Sequence, residues 1–249
     1  MDIITGRELT VGYGESPVLC DLTFGIPVGQ ITTVVGISGS GKSTLLKTLA
    51  GLLPPLAGCF EFAGRAIDYR SESSLNFLYD KIGVLYQGGA LLNGLNLFEN
   101  VALPIRMRYP EMPEEMVRDM VHASLAQVEL AASAEKFPAE LSGGMAKRGG
   151  LARALVLDPD LVFCDEPSSG LDPITSQRLD DLLLHLRETF RMTLVVVTHE
   201  LRSIARVADR VLLIDGGGLR FNGPYRDMLA SDDPFVQTFL LRKDRHDDA

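Results

Sequence analysis

Residues 31–51 read ITTVVGISGSGKSTLLKTLAG. The opening five are apolar or β-branched, the middle is rich in glycine and serine, and the end is a short apolar helical pattern. Strand, tight glycine-rich turn and helix, in that order, make a phosphate loop: backbone N–H groups turn inward and the helix N-terminus adds its dipole. Gly36, Ile37, Ser38, Gly39, Ser40, Gly41, Lys42, Ser43 and Thr44 are therefore the expected phosphate-binding residues. Lys42 brings a positive charge to the β- and γ-phosphates, and Ser43 brings a hydroxyl to Mg²⁺. Taken alone, the loop implies a nucleoside triphosphate and nothing more specific.

Working outward, similar apolar runs occur at 161–164, 194–197 and 211–214, with helical patterns expected from Ser43, Asp172, Leu201 and Tyr225. Short, near-continuous apolar strands alternating with helices predict an α/β fold whose parallel sheet is covered on both faces. The first 65 residues carry turn signals (GYGES, PVGQ, AGCF) between short segments, which predicts a small flanking antiparallel sheet. Strand patterns vanish between 88 and 158. Pro113 opens a helix with Glu114 and Glu115 in its first turn, and Val117, Val121, Leu125 and Val128 share one face. A second helix is expected from about Gly143 to Leu157. The expected organisation is a core of residues 1–87 and 158–249 with a helical insertion over 88–157.

The run LVFC delivers Asp165 and Glu166 to the carboxyl end of a buried strand, where parallel sheets bind ligands. Asp165 suits Mg²⁺ through its water shell, and Glu166 is placed to orient or deprotonate an attacking water. His199 ends the strand LVVVT on the same side and is expected to contact the γ-phosphate. Gln87, after IGVLY, could reach both Mg²⁺ and the water. Tyr13, in VGYGES, either stacks on a nucleotide base or packs on its own sheet.

Bulk properties narrow the partners. The formal net charge of −9 weighs against a general nucleic-acid binder. No 18 consecutive residues are apolar, and MDIITGRELT lacks a basic segment followed by an apolar one, so membrane association is expected to come through a partner. Cys20, Cys59 and Cys164 lack metal-ligand spacing and are expected to be reduced, buried small hydrophobes. The tail RKDRHDDA is expected to be a solvated end.

Together these residues resemble the nucleotide-binding subunit of ABC transporters. LSGGM at 141–145 is similar to that family's signature loop, SSGLD at 168–172 to its D-loop, Gln87 to its Q-loop and His199 to its switch histidine. The resemblance implies a RecA-like P-loop NTPase core, an N-terminal antiparallel β subdomain and an inserted ABC-type α-helical subdomain. It implies ATP and Mg²⁺, with Asp165, Ser43 and Gln87 near the metal and Tyr13 near the adenine. It further implies a homodimer in which Ser142, Gly143 and Gly144 of one copy meet the ATP held by the other, with Asp172 of the D-loop nearby.

Within that family, Met145 in place of the usual Gln, the segment QGGALLNGLNLFENVALPIR, GLDPIT and DPFVQTFL resemble the MlaF-type ATPases. That resemblance implies phospholipid trafficking at the cytoplasmic side of the bacterial inner membrane, with an integral-membrane permease dimer and an MCE-domain protein. A small regulatory subunit on the helical insertion is a further possible partner, and nucleic acid is not. An importer of amino acids or metal ions would share the same ATP chemistry. ABC-type ATPases acting on DNA or ribosomes usually carry tandem ATPase units, long inserts or zinc modules, none of which this sequence has. Leu91, Leu92, Leu95, Leu97 and Phe98 form either a permease groove or subdomain core. Gly149 and Gly150 sit inside an expected helix, at roughly 0.8–1 kcal/mol each against Ala. Either close packing requires them or the helix is soft.

Overall fold

A computed structural model describes residues 1–241; the charged tail lies outside the described residues. Two long strands open the chain, β1 (Asp2–Tyr13) and β2 (Ser16–Pro27), followed by β3 (Ile31–Gly36) and α1 (Lys42–Leu49). Next come β4 (Ala57–Phe62), β5 (Arg65–Ala66), α2 (Glu72–Tyr79) and β6 (Ile82–Leu85). Then only helices form until residue 160, chiefly α3 (Leu97–Arg108), α4 (Glu114–Gln127) and α5 (Gly143–Leu155). Alternation resumes with β7 (Leu161–Asp165), α6 (Pro173–Phe190), β8 (Thr193–Val197), α7 (Leu201–Val207), β9 (Arg210–Asp215) and β10 (Gly218–Pro224). Two short helices, α8 (Tyr225–Leu229) and α9 (Pro234–Leu241), complete the described residues.

The larger sheet has strand order β10-β9-β3-β8-β7-β6. Its five central and far-edge strands are parallel, and only β10 runs antiparallel, against β9. The smaller sheet, β2-β1-β4-β5, is antiparallel throughout its pairings. Side-chain alternation on the central strands divides the core. Val162, Cys164, Leu194 and Val196 face a cluster built with α3 to α6. Leu161, Phe163, Val195 and Val197 face the other cluster, shared with α1 and the antiparallel sheet. Both faces are thus dry, which is why these strands read as unbroken apolar runs in the sequence. Among the described residues no helix is long and apolar enough to cross a membrane.

The helix pattern read at residues 113–128 holds, with Pro113 as cap and Val117, Val121, Leu125 and Val128 buried. The expectation for the cysteines holds only for Cys164; Cys20 and Cys59 are exposed. Alternation in β2 and β4 explains the correction. Leu19, Leu22, Phe60 and Phe62 take the inward positions, leaving Cys20 and Cys59 facing out. Cys164 is fully buried, and burial pushes its thiol up to about 12, so it packs as a neutral hydrophobe.

Candidate functional site

Four neighbouring parallel strands release their carboxyl ends into one cleft of about 1240 Å³. From β3 comes the phosphate loop, from β6 Gln87, from β7 Glu166 and from β8 His199; Asp165, the last residue of β7, joins this lining through Ser43. Gly41 caps α1 with φ +100, a conformation costly for any residue with a Cβ, and an added Cβ would lie 2.8 Å from Val18. The glycine therefore lets the loop close tightly over β2 and turn its amides toward the cleft.

Inside the loop, Lys42 is buried and its ammonium donates to the Gly36 and Ile37 carbonyls at 3.1 and 2.9 Å. Desolvation lowers its pKa, while the Glu166 and Asp165 charges pull the other way. The Ser43 hydroxyl donates to Asp165 Oδ1 at 3.4 Å. Burial raises the pKa of Asp165, and the neighbouring Glu166 charge adds to the rise. A cation bound between Ser43 and Asp165 would relieve both effects.

Glu166 adopts φ +48, a left-handed conformation uncommon for a non-glycine residue. Its Oε1 lies 2.8 Å from His199 Nδ1, whereas its buried Oε2 has no hydrogen-bond partner among the described residues. Gln87 Nε2 donates to Ser169 Oγ at 3.3 Å, just beyond Glu166. Tyr13 stands half-exposed at the rim, accepting from Lys47 Nζ at 3.4 Å. A hydrogen bond from the Thr44 side chain is the first cause of its lowered pKa.

These features fit a nucleotide with a divalent cation. Among the described residues Ser40 Oγ is buried without a partner, Glu166 Oε2 likewise, and the oxygens of Ser43 and Asp165 are adjacent. No group of three or more His, Cys, Asp or Glu residues among the described ones could hold a metal by itself. A magnesium site completed by phosphate and water has that sparse protein donor set.

Ser142, Gly143, Gly144 and Asp172 do not line this cleft. Ser142 caps α5 by accepting from Met145 N at 3.3 Å, with the two glycines in the first helical turn. Asp172 caps α6 by accepting from Ile174 N and Thr175 N, each at 3.1 Å. A Thr175 side-chain hydrogen bond leads the causes that hold its carboxyl below the usual value. Cleft residues not singled out in the sequence as site residues are Val18, Glu200, Leu201, Arg202 and Phe239. Glu200, Leu201 and Arg202 simply follow His199, whereas Val18 of β2 and Phe239 of α9 come from distant segments that no local pattern ties to the cleft.

After Gln87 the chain folds against α5. Gly150 packs on backbone: a Cβ there would lie 2.6 Å from Gly89 O. At Gly149 it would meet Leu97 Cδ1 at 2.6 Å. Arg153 donates to the Ala90 and Gly89 carbonyls at 2.8 and 2.9 Å. Close packing is thus the reason for both glycines. In the apolar segment Leu97 is fully buried, Leu91 and Phe98 pack partly on the helical core, and Leu92 is 47% exposed. Buried Asn100 staples the turn, accepting from Leu92 N and donating to the Leu92, Leu95 and Asn96 carbonyls.

Residues 19–169 match the family described as ABC transporter. The chain belongs to that family. It is 41% identical over 232 residues to the probable ribonucleotide transport ATP-binding protein mkl of Mycobacterium tuberculosis, covering 93% of this chain and 64% of the relative. This chain therefore spans less than two thirds of the length of that mycobacterial relative. It is 37% identical to the intermembrane phospholipid transport system ATP-binding protein MlaF of Haemophilus influenzae, covering 96% of this chain and 90% of that one. The MlaF of Escherichia coli K12 is 35% identical, with 96% and 88% covered. Among solved structures, cbiO1 of Clostridium perfringens superposes with a TM-score of 0.85 at 26% identity, covering 98% and 96% of the two chains. The dimeric bacterial ABC transporter cassette MJ0796 gives 0.80 at 31%, covering 89% and 98%. The fold is that of these cassettes, a P-loop NTPase core with an antiparallel sheet at its flank.

Proposed function

We propose that this chain hydrolyses ATP as one of two identical copies and that the hydrolysis drives lipid trafficking. The observation that carries the first part is the carboxylate of Glu166. One oxygen is held by His199, the other is buried without a partner among the described residues, and the residue lines one cleft with Lys42 and with Ser43, which bonds Asp165.

In this reading Tyr13 stacks on the adenine while residues 36–44 surround the phosphates with N–H groups. Lys42 turns from the loop carbonyls toward the β- and γ-phosphates. Ser43, Asp165 and Gln87 would hold Mg²⁺, which would supply charge neutralisation to the phosphates. Glu166 orients water for in-line attack and takes its proton, and His199 fixes the carboxylate and contacts the γ-phosphate. Ser142, Gly143 and Gly144 at the α5 N-terminus serve the partner copy's ATP, with Asp172 nearby. Residues 88–157 form the helical subdomain that carries this signature loop.

The expected outcome for Glu166→Gln is a dimer that retains ATP, with turnover lower by about a hundred-fold or more. Size-exclusion chromatography with bound-nucleotide analysis, beside a phosphate-release assay, reads both. Wild-type turnover in that variant would remove Glu166 from its role.

The lipid part rests on the MlaF relatives, whose length this chain nearly spans. The higher identity to proteins named for ribonucleotide transport makes that cargo the second reading. For a lipid system the chain would sit on the cytoplasmic side of the inner membrane, with Leu92 and its neighbours against a permease dimer and an MCE-domain protein in the same complex. Purification from native membranes, with mass spectrometry of co-purifying chains and lipids, separates the cargoes. Bound phospholipid with an MCE-domain protein supports the first; a permease with a nucleotide-binding receptor supports the second.

A further inference from the structure

Lys147, in the second turn of α5, is 6% exposed, and among the described residues no carboxylate forms an ion pair with it. Its ammonium instead donates to two backbone carbonyls, that of Ser169 at short range and that of Glu166 at 3.4 Å. Desolvation lowers its pKa, and the charges of Glu200 and then Glu166 oppose that shift. A buried cation satisfied by carbonyls is an expensive way to fill space, since an apolar side chain would pack there without the desolvation. What distinguishes the site is the turn that the ammonium holds.

That turn, 166–169, begins with Glu166 at φ +48. One restraint is internal, Ser169 N donating to Glu166 O at 3.2 Å, and one comes from β8, Glu166 N donating to Val197 O at 2.9 Å. Lys147 is the restraint supplied from α5. The same turn meets Gln87 through Ser169 Oγ, and the loop after Gln87 is in turn clamped on α5 by Gly150 and Arg153. One helix therefore grips both segments that flank the carboxylate.

We infer that Lys147 is a positioning residue: its ammonium fixes the 166–169 turn to α5, so that the helix facing the partner copy's ATP sets the aim of its own chain's Glu166. The inference rests on the two-copy reading proposed above. It links the composite sites mechanically, because α5 touches one nucleotide at its N-terminus and steers the carboxylate acting on the other. Lys147 itself lies outside the nucleotide cleft.

The test is steady-state ATP turnover and nucleotide affinity of the full chain carrying Lys147→Met, Lys147→Arg or Glu166→Gln. Lys147→Met is expected to lower kcat about ten-fold, with KM and nucleotide affinity within about two-fold of wild type. Lys147→Arg, which keeps the charge and the donors, is expected to recover most of that loss. Wild-type kcat in Lys147→Met, with Glu166→Gln inactive, overturns the inference and leaves the reading beneath it intact. A joint loss of kcat and affinity that Lys147→Arg fails to recover makes Lys147 merely structural and also overturns it. Wild-type turnover in Glu166→Gln overturns the underlying reading instead.

Discussion

Asp180 shows what burial does to a single charge away from the cleft. It sits in α6 at 4% exposure and accepts from Ser203 Oγ of α7 at 2.7 Å. Burial pushes its carboxyl up to about 6; the Ser203 bond opposes the rise, and Glu200 reinforces it. The native state therefore holds a proton that the unfolded chain has already released between pH 3.8 and 6. Stability contributed at this residue falls as pH rises through that window and is then constant. Asn would keep the acceptor for Ser203 without the charge. Asp180→Asn is expected to stabilise the fold above pH 6 by about 1–3 kcal/mol. In a thermal melt that is a rise of roughly 2–4 °C per kcal/mol. The gain should vanish near pH 4, where wild type is itself protonated, and a gain independent of pH would contradict the assignment.

At the scale of elements, α5 shows how two adjacent glycines can differ. The obstacle to a Cβ at Gly150 is backbone, Gly89 O at 2.6 Å and Gly89 Cα at 2.9 Å, whereas at Gly149 it is the end of the Leu97 side chain. Leu97 can move; the 87–90 loop cannot move without carrying Gln87 with it. Gly150→Ala is therefore expected to destabilise by about 1–3 kcal/mol through overpacking and to depress turnover. In Gly149→Ala the helix-propensity gain of about 0.8–1 kcal/mol offsets the clash. Paired melts that place Gly149→Ala lower would refute this ordering. The sequence declares these glycines without declaring their reason, because the Gly89–Gly150 approach joins residues far apart in the chain. The same limit applies to Lys147, whose carbonyl partners exist only once β7 and α5 are packed. By contrast, β3, β7, β8 and β9 were legible because they are buried on both faces, and the phosphate loop because strand, turn and helix are contiguous. In β10 the residues GLRFNGP are mostly half-exposed, so no apolar run announced that antiparallel edge. Cys20 and Cys59 misled because residue type alone does not say which face of a strand it occupies.

For the whole molecule, the separation of Ser142 from the cleft is the decisive geometry. Within one chain the α5 N-terminus is capped by its own serine and lines a different surface from Lys42. In a twofold dimer each contact occurs twice, so a cleft completed by the other copy's α5 produces two equivalent composite sites. This makes a prediction that no single-chain site shares. On the two-copy reading proposed above, a Lys42→Ala dimer would have two sites without the phosphate-loop cation, and a Ser142→Arg dimer two sites obstructed at the α5 N-terminus. Each variant alone is expected to be nearly inactive. Mixing them creates heterodimers in which both lesions fall on one site, while the other pairs an intact phosphate loop with an intact α5 N-terminus. Turnover is therefore expected to return on mixing, to rise with the fraction of mixed dimers, and to be absent when either variant is mixed with itself. If ATP were hydrolysed within a single chain, mixing would restore nothing, because every chain present would still carry a lesion in its own site or none that matters. The second case is visible beforehand, since Ser142→Arg alone would then retain wild-type turnover.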